Sequence, residues 1–96
     1  MDILVAYDVD TRTKAGVRRL GRVARTCGRY GVRVQDSVFE CRLSATRLQR
    51  LVVALNAEIN ARADSVHLYR FAGSLRDARV SLGRPAEHEP GEPWIL

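Results

Sequence analysis

Apolar residues up to position 71 recur with two different periods, and the order in which those periods alternate leaves few folds open. Residues 2–9, DILVAYDV, are a continuous apolar run closed by an acid. The run is too short for a helix and reads as a buried central strand. Within it Ile3, Val5 and Tyr7 lie on one side and Leu4, Ala6 and Asp8 on the other, and both sides are largely apolar. Asp10, Thr11 and Thr13 are residues that cap helices, and Val17, Leu20, Ala24 and Cys27 then recur at helical spacing. With Gly28 as a stop, the first helix is expected over about residues 12–28, weakened by Gly16 and Gly21. In YGVRVQDSVFECRL, Val32 and Val34 alternate with Arg33 and Gln35, and Asp36-Ser37 suits a two-residue turn before a strand from Val38 to Leu43. Ser44 or Thr46 caps a second helix with a stripe of Leu48, Leu51, Val52, Leu55 and Ile59. Asp64-Ser65 reads as a turn, and residues 66–71, VHLYRF, as another strand.

The resulting order is β-α-β-β-α-β, the split βαβ of a ferredoxin-like α+β fold. It predicts an antiparallel four-stranded sheet, order 4-1-3-2, with both helices on one face. The first strand is expected beside the second hairpin strand, and the last strand beside the first hairpin strand. The other face of such a sheet has no cover of its own, so a homodimer with twofold symmetry is expected through it. Residues 1–84 are read as one domain with a short fifth strand near 78–82. Residues 85–96 are read as an acidic, proline-containing tail whose Trp94-Ile95-Leu96 end docks on a partner.

The 96 residues suffice for one domain, and one this small buries a modest share of its surface, which also favours self-association. No apolar run reaches the length of a membrane span, and Asp2 stands where a basic signal region would begin, so a cytoplasmic protein with no membrane partner is expected. Cys27 and Cys41 have neither CxxC nor zinc-knuckle spacing and read as buried free thiols; His67 and His88 have no neighbouring ligands for zinc. Residues 1–84 carry all 16 cations and 8 of the 11 acids, a body of +8, while Glu87, Glu89 and Glu92 make the tail −3. Fifteen of those cations are Arg, which forks onto phosphate, so a polyanion is a natural partner. The aromatic strand signature of RNA-recognition modules is absent.

The opening strand ending in Tyr7-Asp8-Val9, the stretch GVRVQDSVFECRL and then DSVHLYRF resemble the small CRISPR-associated endoribonuclease that accompanies the CRISPR integrase. The most specific part is Arg33-Val34-Gln35 with Ser37-Val38-Phe39-Glu40, and the resemblance runs from residue 1 to about residue 84. It implies a ferredoxin-like homodimer with paired aspartates at the dimer interface. It further implies a magnesium-dependent phosphodiesterase acting on RNA or DNA, and a role bridging integrase dimers while a new spacer is inserted.

The resemblance places the metal aspartate at Asp8, and Ser37 and Phe39 near the active cleft. An acid ending a central strand in a basic protein suits Mg²⁺, which takes one or two carboxylates and keeps several waters. One Asp per chain is a thin site, and two across a dyad are a better one. Taken alone, Asp8 also reads as a loop-capping carboxylate and Phe39 as core packing. Tyr7 suits either packing or stacking on a base, and Arg33 an exposed strand position able to grip phosphate. On the first helix Arg18, Arg22 and Arg25 share a face, with Arg19 beside them, and no acid lies between Thr11 and Gln35, which favours contact with a nucleic-acid backbone. Two other functions remain open: a scaffold without chemistry, bridging integrase dimers, and a free-standing ribonuclease toxin of related fold.

Overall fold

The computed structural model describes residues 1–84. In chain order the elements are β1 (Asp2–Asp8), α1 (Lys14–Gly28), β2 (Gly31–Gln35), β3 (Val38–Arg42), α2 (Ala45–Glu58), β4 (Ser65–Phe71) and a short α3 (Leu75–Ala78). The strands form one antiparallel sheet in the order β2-β3-β1-β4, which is 4-1-3-2 read from the other edge. The architecture is the expected ferredoxin-like one. The sheet is open, however: among the described residues β4 pairs with β1 alone, so the expected neighbourhood of β4 and β2 does not form.

Strand β1 is central because its apolar run has a use on both sides. Ile3, Val5 and Tyr7 are buried beneath the helices, against Val23 and Cys27 of α1, Leu51 and Leu55 of α2, and Phe39, Cys41 and Leu43. Leu4 and Ala6 face the other way and are only partly covered. The two thiols are buried and free, and burial pushes each up to about 12.

Several local details differ from the sequence reading, each for a physical reason. Thr13, not Asp10 or Thr11, caps α1: its hydroxyl accepts the Gly16 N–H at 3.0 Å. The buried face of α1 is Gly16, Val23, Thr26 and Cys27, whereas Val17 is 55% exposed. Gly16 takes the inward position because the Asp10 carbonyl lies where its Cβ would be, 1.9 Å away. The adjacent Val17, about 100° round the helix, is turned outward. Ser44 caps α2 through the Arg47 N–H, and Val52 of the expected stripe is exposed. The Asp36-Ser37 turn forms as expected, after an irregularity between Arg33 and Gln35. The turn before β4 is closed earlier than expected, by the Asn60 carbonyl accepting the Ala63 and Asp64 N–H groups, so Ser65 already belongs to the strand.

The expected fifth strand is absent from the described residues. Ala78 ends α3, and residues 79–82 join no ladder. Asp2 accepts the Leu75 N–H at 2.8 Å and so pins α3 over one end of the open sheet face, where Leu75 is buried. Val80 and Leu82 beyond it are almost fully exposed. The tail at 85–96, including Trp94-Ile95-Leu96, lies outside the described residues. No described helix is long and apolar enough to cross a membrane.

Candidate nucleic-acid and metal site

Asp8 is the last residue of β1 and pairs in register with Ser65 of β4. Its side chain belongs to the face turned away from α1 and α2. Register partners on an antiparallel sheet share a face. Leu4 and Ala6 therefore stand with Glu40 and Val38 of β3 and with Tyr69 and His67 of β4. The α3 turn covers this face only near Asp2 and leaves the Asp8 end open. No hydrogen bond or ion pair joins the exposed Asp8 carboxylate to another described residue.

The neighbouring acids differ sharply from Asp8. Asp10 receives the Arg12 N–H and a two-pronged guanidinium from Arg12, which holds its carboxyl down at about 2. The Asp64 side chain is buried and meets Arg19, whose hydrogen bond outweighs the cost of burial and keeps the carboxyl well below its ordinary range. Asp2 is buried too, which opposes ionisation, but the Leu75 N–H and Arg42 outweigh that and lower it. Each of these acids is already engaged.

The Asp8 carboxylate is a hard, exposed oxygen donor, which suits Mg²⁺ chemically. Among the described residues no group of three or more His, Cys, Asp or Glu side chains could hold a metal ion. One chain thus supplies one carboxylate, which meets the low demand of Mg²⁺ for protein ligands only at its minimum.

The other expected site residues divide between the two faces. Ser37, in the hairpin turn, accepts the Tyr7 N–H through its carbonyl at 3.0 Å and so lies at the Asp8 end of the sheet. Tyr7 and Phe39 do not join them. They are 5% and 3% exposed, stack on each other with ring centroids 6.2 Å apart, and face the helices. The Tyr7 hydroxyl donates to the Asp36 carbonyl at 3.2 Å, and burial raises its pKa. A base has no access to either ring in this conformation. Arg33 is exposed but lies over the Phe39 ring, 5.2 Å from its centre.

On α1, Arg18, Arg22 and Arg25 are exposed along one face, as expected. Arg19 is not available with them: Asp64 takes its guanidinium in a largely buried pair. Arg12 is likewise engaged by Asp10. The sequence reading missed both partners because Asp64 is distant in sequence and Asp10 was assigned to a helix cap. It also missed Glu40 and Arg79, which pair at 3.6 Å across the open face. An acid directly before a strand was the one available signal for Asp64.

A family model described as CRISPR associated protein Cas2 matches residues 1–77. The chain is 36% identical, over the full length of both, to a protein of Halalkalibacterium halodurans named CRISPR-associated endonuclease Cas2. It is 46% identical to the CRISPR-associated endoribonuclease Cas2 of Chlorobaculum tepidum, over 93% of this chain and 85% of that one. Among solved structures, Streptococcus pyogenes Cas2 superposes with a TM-score of 0.79 at 38% identity, covering 86% of this chain and all of the other.

Proposed function

The chain belongs to the CRISPR-associated Cas2 family, and from that premise we propose that it is a homodimeric, Mg²⁺-dependent endonuclease of RNA or DNA that supports spacer integration with the CRISPR integrase. The observation that carries the proposal is the exposed Asp8 carboxylate at the end of the central strand. It lies at the end of the open sheet face, and among the described residues no ion pair or helix cap engages it. Two copies meeting through that face bring two such carboxylates together across a dyad, which completes a site that one chain leaves half built.

Bound there, Mg²⁺ supplies an activated water and offsets the charge that develops on the phosphodiester. Asp8 would hold the ion, together with the Asp8 of the second copy. Arg18, Arg22 and Arg25 grip the backbone phosphates without reading bases. Ser37, at the same end of the sheet, offers a hydroxyl to a phosphate oxygen. Phe39 acts from beneath, by carrying Tyr7 and Arg33, and touches no substrate. Asp8→Asn keeps the shape and removes the charge. It is expected to abolish Mg²⁺-dependent cleavage while leaving the dimer intact; cleavage at the wild-type rate by the purified variant would remove Asp8 from the chemistry.

The single carboxylate per chain also supports a second reading, a scaffold that binds duplex and integrase and performs no chemistry. Spacer integration in cells separates the two: it survives Asp8→Ala if the protein is a scaffold and fails if cleavage is required. The relatives reported above carry CRISPR names, which favours either reading over a free-standing toxin.

A further inference from the structure

We propose that Asp64 is a positioning residue for Asp8. The proposal rests on the reading of Asp8 as the metal-holding carboxylate, and names what keeps that carboxylate in place.

Four donors converge on the Asp64 side chain. Oδ1 accepts the Asp10 N–H at 3.0 Å and Arg19 Nη2 at 3.1 Å; Oδ2 accepts the Asn60 N–H at 2.8 Å and Arg19 Nε at 2.5 Å. The carboxylate has no exposed surface. Its own residue directly precedes Ser65, the ladder partner of Asp8. The backbone is therefore tied at Asp8 by the ladder and again two residues later by the Asp10 N–H, which donates to Asp64. The same chain segment is pressed onto α1, since the Asp10 carbonyl lies against Gly16 and receives Arg19 Nη2 at 3.5 Å.

The physical need is clear from where Asp8 sits. The last residue of a strand opens more readily than its middle, because fewer bonds must break to free it. A carboxylate on a fraying end holds an ion poorly, since ordering it again costs conformational entropy with every binding event. Asp64 removes that cost beforehand by joining β1, β4, α1 and the 60–64 turn at one point. A neutral amide cannot replace it. Asn offers one acceptor oxygen where four donors converge, and its NH₂ would face donors.

The test is calorimetric titration of the full-length protein with Mg²⁺, with hydrogen exchange of the Asp10 amide read in parallel. For Asp64→Asn we expect Mg²⁺ affinity to fall about tenfold, in the range seen when groups supporting a metal ligand are removed. The Asp10 amide should exchange faster, and duplex binding through Arg18 and Arg22 should be unchanged. Observed affinity scales with the folded fraction, so a variant that stays at least about nine-tenths folded loses only about a tenth of its affinity through instability alone, far less than tenfold. Should Asp64→Asn not fold, Arg19→Gln keeps both backbone bonds and should give a smaller loss, which Arg19→Lys partly restores. Unchanged Mg²⁺ affinity in the folded variant overturns the positioning role. The Asp8→Asn control isolates the premise: if it binds Mg²⁺ like wild type, the reading of Asp8 fails, whereas if it loses binding while Asp64→Asn does not, only the role of Asp64 fails.

Discussion

Asp8, Asp10 and Asp64 lie within one corner of the fold and have three different fates. Asp10 is neutralised by Arg12, Asp64 is buried among four donors, and Asp8 is left to solvent. These differences have a consequence for acid stability. The folded carboxyls of Asp10 and Asp64 lie below their unfolded value near 4. A depressed folded pKa gives stability that is fully present above the unfolded value and is lost as pH falls through the folded one. Stability should thus be flat from neutral pH to about 5 and decline below about 4, continuing towards about 2 as Asp10 protonates. Asp64→Asn should be less stable than wild type at pH 7, and the gap should narrow as the pH is lowered. Urea unfolding at a series of pH values measures it; a gap independent of pH would mean that the ion pair with Arg19 contributes nothing.

Helix α1 shows how far an element can be read from its letters. The period of its apolar residues located the helix within two residues at its start and on Gly28 at its end. The identity of the buried face was displaced, because Gly16 has no side chain to count and yet takes the inward position under the Asp10 carbonyl. Gly16→Ala puts a methyl 1.9 Å from that carbonyl, so the loop must move. The expected cost is about 1–3 kcal/mol, read from denaturant midpoints. The cations of α1 were legible as a run, but which of them remain free was not, since that depends on Asp64 meeting Arg19 across 45 residues. The distinction is measurable. Replacing Arg18 and Arg22 by Ala should lower the slope of log affinity for duplex DNA against log salt by about 1–2 in magnitude. Arg19→Ala should leave that slope unchanged and reduce stability instead. A salt slope that responds to Arg19 as strongly as to Arg18 would place Arg19 on the phosphates.

At the scale of the whole molecule, the order of elements was legible because every strand and helix carries its own period, and the strand order follows from the split βαβ pattern. The fifth strand was not, because alternation at RVSL describes what residues 79–82 suit and not whether a partner edge is beside them. The same holds for the site. The resemblance placed the metal aspartate at Asp8 and put Phe39 near the cleft, and Tyr7 adjoins Asp8 along the chain, although strand alternation and the stacked core put both rings on the opposite face. What a single chain leaves incomplete is the proposed metal site, with one carboxylate where the open face meets solvent. A shared site therefore requires two Asp8 side chains to pair in one dimer. Mixing wild-type and Asp8→Asn subunits in varying proportion, allowing exchange and measuring Mg²⁺-dependent cleavage tests this directly. If both carboxylates build one site, activity follows the square of the wild-type fraction and falls to about one quarter at equal mixing. Activity that falls in simple proportion, to about one half, would mean that each subunit works alone, and would contradict the shared site.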